Sequence, residues 1–175
     1  MGELLSGLVG ALIATILSVV YLYIAEKAKL RAEVALEVVG YCDDVYHHLE
    51  LVHVHKDKVY TKTGPGLDGD QYRAVSMKLS ELMKSTKTHA KLQIVYGPSN
   101  SVALLNGLSH HFREATSILR DATENDWAEK GKQVFDLFDK KIEPMRAELQ
   151  LQLINGTKPS AIAKDLFVQC GKEVT

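Results

Sequence analysis

Residues 4–25 run for 22 positions without a charged side chain, and beyond them apolar residues return only at helical spacings. A helix of that length rises about 33 Å, enough to cross a hydrocarbon layer of roughly 30 Å. The run therefore predicts a transmembrane helix over residues 1–25. Past it, Val38, Val45, Val52 and Val59 recur every seven residues, interleaved with Val34, Tyr41, His48 and His55, as in the seam of packed helices. Ala35, Val39, Cys42, Tyr46 and Leu49 widen that seam to a bundle-forming face. Glu33, Glu37, Asp43, His47, Glu50 and Asp57 fall opposite, toward water. Neither proline nor glycine interrupts residues 25–36, so the two patterns belong to one rod ending near Val59, with Gly40 its weak point.

The glycine- and proline-rich stretch 61–71 predicts a loop. A second helix is expected over 72–96, with Val75, Leu79, Leu82, Met83, Ala90 and Ile94 on its apolar stripe and Gly97-Pro98 as its stop. Ser99 or Asn100 caps a third, striped by Val102, Leu105, Leu108, Phe112, Ala115 and Leu119. Asp126 and Glu129 read as a capping box opening a fourth, which carries Trp127, Val134, Phe135, Leu137, Phe138 and Ile142. Pro144 should kink it or restart it. Asn155-Gly156 closes that segment, and Ile162, Leu166 and Phe167 mark a short amphipathic helix over 158–170. The expected fold is all-α: an N-terminal single transmembrane helix continuing into a cytoplasmic bundle of four long helices plus a short C-terminal one. The domains are residues 1–25, the membrane helix, and residues 26–175, the bundle.

Charge adds an orientation. Glu3 is the one charge before residue 26, so the 21 basic residues and the other 21 acidic ones share the rest of the chain and balance there. Lys27, Lys29 and Arg31 follow the apolar run directly, and the positive-inside rule then puts residues 26–175 in the cytoplasm, with the N-terminus outside. The layout is that of an inner (plasma) membrane protein of a bacterium. A signal peptide would begin with basic residues and end in a small-residue cleavage site, and neither is present. A neutral soluble part offers no concentrated basic face, so no direct nucleic-acid binding is expected. Cys42 and Cys170 suit a reducing compartment.

Within the apolar run, Gly7, Ala11, Ala14 and Ser18 recur at spacings of 4, 3 and 4, with Gly10 and Thr15 beside them. Aligned small residues let two backbones approach closely in lipid, where no hydrophobic drive operates. These six residues are the expected oligomerisation face of a homo-oligomer.

Seven histidines raise the question of metal. Glu50 and His53 have one Glu-x-x-His spacing where a di-iron bundle needs two, and the seam turns Glu50 outward. His110 and Glu114 are spaced for an ordinary i, i+4 ion pair. His48, His55, His89 and His111 map to core-facing or core-edge positions, where a cluster could hold zinc or sense pH. The ordinary alternative is that each ring bonds to a local carbonyl, carboxylate or hydroxyl. No nucleophile motif, phosphate-binding loop or dinucleotide fingerprint occurs, and no cofactor is called for.

These patterns predict a non-enzymatic, single-pass membrane protein that self-associates through its small-residue face and works as a scaffold or interaction module. The expected partners are the lipid bilayer, further copies of the chain and a soluble cytoplasmic protein. A second reading is an oligomeric membrane effector that forms or gates a pore, with the layout of small bacterial anti-phage effectors. A third is a metal- or pH-responsive bundle built on the core histidines.

Overall fold

A computed structural model describes residues 2–155, and the side-chain surroundings of 11–154. Helix α1, Gly2–Thr61, is unbroken over 60 residues. It is followed by α2 (Gly69–Lys84), α3 (Lys87–Tyr96), α4 (Asn100–Asp121), α5 (Trp127–Leu137), a π-helical turn (Phe138–Ile142) and α6 (Glu143–Asn155). The described residues are all helix and connecting turns, without a strand. The short helix expected over 158–170, with Gly156 and Cys170, lies outside the described residues.

Four rods make the bundle, and α1 touches every other helix in it. Contacts along α1 fix the directions of the others. His89 of α3 meets Tyr41, Lys91 pairs with Glu37 and Tyr96 reaches Arg31, so α2 and α3 run antiparallel to α1. Trp127 bonds to Asp57 and Arg146 to Asp43, so α5 and α6 also run antiparallel. Helix α4 returns parallel to α1, ending where the Ala122 carbonyl accepts from Lys56 and Tyr60. Val38, Val45, Leu49, Leu92, Leu108, Phe112, Ala115, Val134 and Ile142 are completely buried between the rods. Fully burying such side chains is worth about 1.5–3 kcal/mol each before the ordering entropy is subtracted.

The heptad reading holds from Val34 to Val52 and fails at its end, because Val59 is exposed. Lys56 is buried instead, its ammonium donating to the Ala122 carbonyl at 3.0 Å. Glu37, Asp43 and Asp57, expected to face water, are half-buried and bonded to Lys91, Arg146 and the Trp127 indole. The face of α1 open to water runs instead through Leu36, Gly40, Asp44, His47, Glu50, Val54 and Lys58.

The expected 72–96 helix is two helices. Ser85 is extended (φ −71°, ψ 117°), and its N–H turns back to the Leu82 carbonyl, ending α2. The short, polar run Ser85-Thr86 has low helix propensity, and the break resets the phase. Thr88 and Leu92 thus face inward, while Ala90 and Ile94 are exposed. At the other end α2 starts within the expected loop, because Asp68 and Gln71 form a reciprocal capping box: Asp68 Oδ1 accepts from the Gln71 N–H and Gln71 Oε1 from the Asp68 N–H.

Asp126 occupies the N-cap position of α5 but makes no capping bond to that helix. Its carboxylate accepts from the Thr123 N–H and hydroxyl and pairs with Lys130 at 2.7 Å. Ser99 likewise stands at the N-cap of α4 without a side-chain cap bond. Phe135, expected in the core, is 59% exposed. Before Pro144 the helix widens rather than kinks, with the Glu143 N–H bonding to the Phe138 carbonyl five residues back. Proline has no N–H to give to the Lys140 carbonyl, and the wide turn absorbs the mismatch.

Two substitutions test these local arguments in detergent by chemical denaturation. Asp68→Ala removes the capping box and should cost about 1 kcal/mol. Gly40→Ala places a Cβ where nothing lies within 4 Å, on an exposed helical position, and should stabilise by about 1 kcal/mol.

Candidate functional site

From Ala11 to Glu33 every side chain of α1 is exposed, although Leu12, Ile13, Ile16, Leu17, Val19, Val20, Leu22 and Ile24 are all apolar. This is the one helix among the described residues that is long and apolar enough to cross a membrane. Ala11, Ala14, Thr15 and Ser18 sit on this uncovered rod, and Gly7 and Gly10 lie on its helical backbone before the described side chains begin. The two hydroxyls are satisfied within the helix: Thr15 Oγ1 donates to the Ala11 carbonyl at 2.8 Å and Ser18 Oγ to the Ala14 carbonyl at 2.9 Å. A polar side chain bonded in this way can enter an apolar layer without an orphan donor.

Each of the four histidines has its own partner in a different part of the bundle. His48 Nδ1 lies 2.7 Å from the Asp44 carbonyl, and the ring is half-buried rather than in the core. His55 accepts from the Leu67 N–H at 2.9 Å and stacks on Tyr72. His89 bonds to Ser109 Oγ at 2.7 Å and meets the edge of Tyr41. His111 is buried and lies 3.2 Å from Glu114. The four do not converge on one another. Among the described residues the group of three with metal-ligand atoms close together is His110, His111 and Glu114, with His110 exposed.

Desolvation lowers the pKa of both His55 and His89, assisted by the charges of Lys56 and Arg113 respectively. Both therefore favour the neutral ring. For His55 the geometry requires it, because the Leu67 N–H needs a lone pair on Nδ1. Gly66 is part of the same arrangement: a Cβ there would run into His55 Nδ1 and Val59. Burial pushes the Cys42 thiol up to about 12, with Asp43 adding to the effect, so it stays protonated near neutrality.

An aromatic groove along α1 and α5 was not foreseen. His53 stands at its centre, between Trp127 and Phe138, with ring centroids 5.4 and 6.0 Å away. It joins two open cavities of about 290 and 330 Å³, both of which Phe135 also lines. Glu50, Asp57, Asp139 and Glu143 border them, with Lys132 the basic residue among the lining. The i, i+4 spacing of Trp127 and Gly131 was the available signal, and a Cβ added at Gly131 would come within 3.0 Å of the indole. Tyr46, at the other end, packs on Phe138 and lies under the Arg146 guanidinium at 4.7 Å. Burial, then Glu143, pushes its hydroxyl up to about 12.

Comparison with protein-family models, with curated proteins and with solved structures finds no match for this chain.

The two neutral histidines make stability depend on pH. Their folded pKa lies below the unfolded value of about 6.5, so the unfolded chain binds more protons on acidification. The stability they contribute is complete above pH 6.5 and falls as pH drops toward their folded values. The melting temperature in detergent should therefore fall between pH 7 and pH 5.5, above the range where carboxylates titrate. His89→Gln, which still bonds to Ser109 but does not titrate, should flatten that slope; an unchanged slope removes His89 from the account.

Proposed function

We propose that this chain is a single-pass membrane protein whose helical bundle acts non-enzymatically as a scaffold or interaction module, self-associated through the small-residue face of α1. The observation that carries the reading is the continuity of α1. One helix has an apolar half that no other described residue covers and a second half that forms the centre of the bundle. Uncovered apolar surface of that extent calls for lipid or further copies of itself. Gly7, Gly10, Ala11, Ala14, Thr15 and Ser18 are the face for such copies. Lys27, Lys29 and Arg31 orient the bundle to the cytoplasm of a bacterial cell, with the N-terminus outside. There it would hold a soluble protein at the inner membrane, and the aromatic groove around His53, with its largely acidic border, is the surface we assign to that protein.

The same continuity favours a second reading, an oligomeric effector that forms or gates a pore, because a rigid rod carries any tilt of the bundle into the apolar segment. The dispersal of His48, His55, His89 and His111 gives no comparable support to a metal-responsive bundle.

The mass of the detergent-solubilised particle tests self-association. The parent should exceed a monomer, and Gly7→Ile combined with Ala11→Ile should reduce the mass, since bulky side chains hold the backbones apart. A monomeric parent would refute self-association; a large particle unaffected by the double substitution would assign assembly to the bundle.

Inserting Gly-Gly-Ser after Glu26 separates the two readings. It uncouples the rod while leaving the buried layers, which begin at Val34, intact. A scaffold keeps its function with a flexible tether, whereas a gated pore loses its ability to depolarise cells that overexpress it.

A further inference from the structure

The most exposed large apolar side chain among the described residues is Ile94 of α3, at 81%. It lines a crevice of about 330 Å³ with Val95 of α3 and with Tyr23, Glu26, Lys27 and Leu30 of α1. We propose that this corner of the bundle docks on the bilayer surface, with Ile94 and Leu30 in the headgroup layer and the crevice holding the glycerol end of a lipid. The proposal rests on the reading of the apolar segment as a membrane span and adds a specific lipid-contacting surface to the bundle.

Height supports it first. Tyr23 belongs to the charge-free run, and Leu30 lies only about 8 Å beyond Ala25 along the helix. The polar layer of each leaflet is roughly 5–8 Å thick, so one crevice carries a side chain from the span and side chains at headgroup level. A surface continuous with the span at that depth faces lipid before it can face water.

Fixation supports it second. The end of α3 is held against α1 at that height. Tyr96 Oη donates to the Arg31 carbonyl at 3.1 Å, the Arg31 guanidinium stands 5.6 Å from the Tyr96 ring, and Lys91 pairs with Glu37 nearly two turns further along α1. Ile94 is therefore presented at a fixed depth.

Chemistry supports it third. Tyr23, Leu30 and Ile94, exposed at 64%, 49% and 81%, provide an apolar floor. Lys27 lines it beside the single acid of its wall, Glu26, and two further cations stand close by on the same helix, Arg31 over the Tyr96 ring and Lys29 paired with Glu33. Apolar side chains beneath a basic collar match the acyl–headgroup boundary of an anionic leaflet.

Depth-dependent fluorescence quenching tests the proposal on the full-length chain. In a Cys170→Ser background, where Cys42 stays buried and protonated, a bimane label is placed at Leu17→Cys, at Ile94→Cys, at Leu30→Cys or at Gly64→Cys. Position 17 reports the span and position 64 lies in the loop at the opposite end of the bundle. The protein is reconstituted in nanodiscs of phosphatidylethanolamine and phosphatidylglycerol, with no quencher, with a lipid carrying a nitroxide near the headgroup, or with one carrying it deep in the acyl chain. Quenching of 94 and 30 by the headgroup nitroxide and of 17 by the acyl-chain nitroxide, with none at 64 by either, is the expected result. Quenching at 17 alone would overturn the docking while leaving the span in place, and would leave a second copy or a soluble protein as the crevice's occupant. No quenching at 17 would overturn the span, and the docking with it.

Discussion

The constraint on which this structure depends is the unbroken backbone hydrogen-bond ladder of α1. Its first half can satisfy its polar backbone groups without any neighbour, which is the condition for entering an apolar layer. Its second half presents side chains to helices on several sides at once. Because no glycine or proline separates residues 25 and 36, these two environments are joined by a stiff element. Every other helix is then positioned by where it meets α1: α2 at His55, α3 at Glu37 and Arg31, α6 at Asp43, α5 at His53 and Asp57, and the end of α4 at Lys56 and Tyr60.

That central position explains which parts of the fold were legible in the sequence. Val34 to Val52 could be read because the layers they fill are apolar and regularly spaced. The long apolar helix was legible by length alone. The polar contacts of Glu37, Asp43, Lys56 and Asp57 were not, because charged side chains look alike in sequence whether they face water or a partner on another helix. The break at Ser85-Thr86 was hidden for another reason: no glycine or proline marks it, and the apolar spacing on either side fits a single phase closely enough to suggest one helix. Its consequence, the exchange of Ala90 and Ile94 for Thr88 and Leu92 as inward positions, follows from a shift of two residues.

The surfaces of interest were legible only in part. The small residues of the span announce themselves by spacing, and the structure adds that Thr15 and Ser18 are internally satisfied. The four histidines were placed at core or core-edge positions by phase, yet phase says nothing about which helices are neighbours. The groove around His53 combines α1 with α5, from parts of the chain more than seventy residues apart, as the 78-residue separation between His53 and Gly131 shows. No local pattern encodes such a juxtaposition.

Rigidity in this bundle is unevenly distributed in kind. At the end far from the apolar segment, Trp127, Tyr60 and His53 interlock, the indole bonds to Asp57, and Lys56 is buried on a carbonyl. At the near end the polar fastenings are Lys91–Glu37, the Tyr96 hydroxyl on the Arg31 carbonyl and Arg31 over the Tyr96 ring, all partly or largely exposed. Exposed pairs of this kind contribute at most about 1 kcal/mol each and weaken with salt. The completely buried Val38 and Leu92 lie between the two ends and bind α3 to α1 through packing rather than charge. A force applied at the far end is therefore carried down α1, and the packing of α3 on α1, more than the exposed pairs, keeps the corner bearing Ile94 at its height.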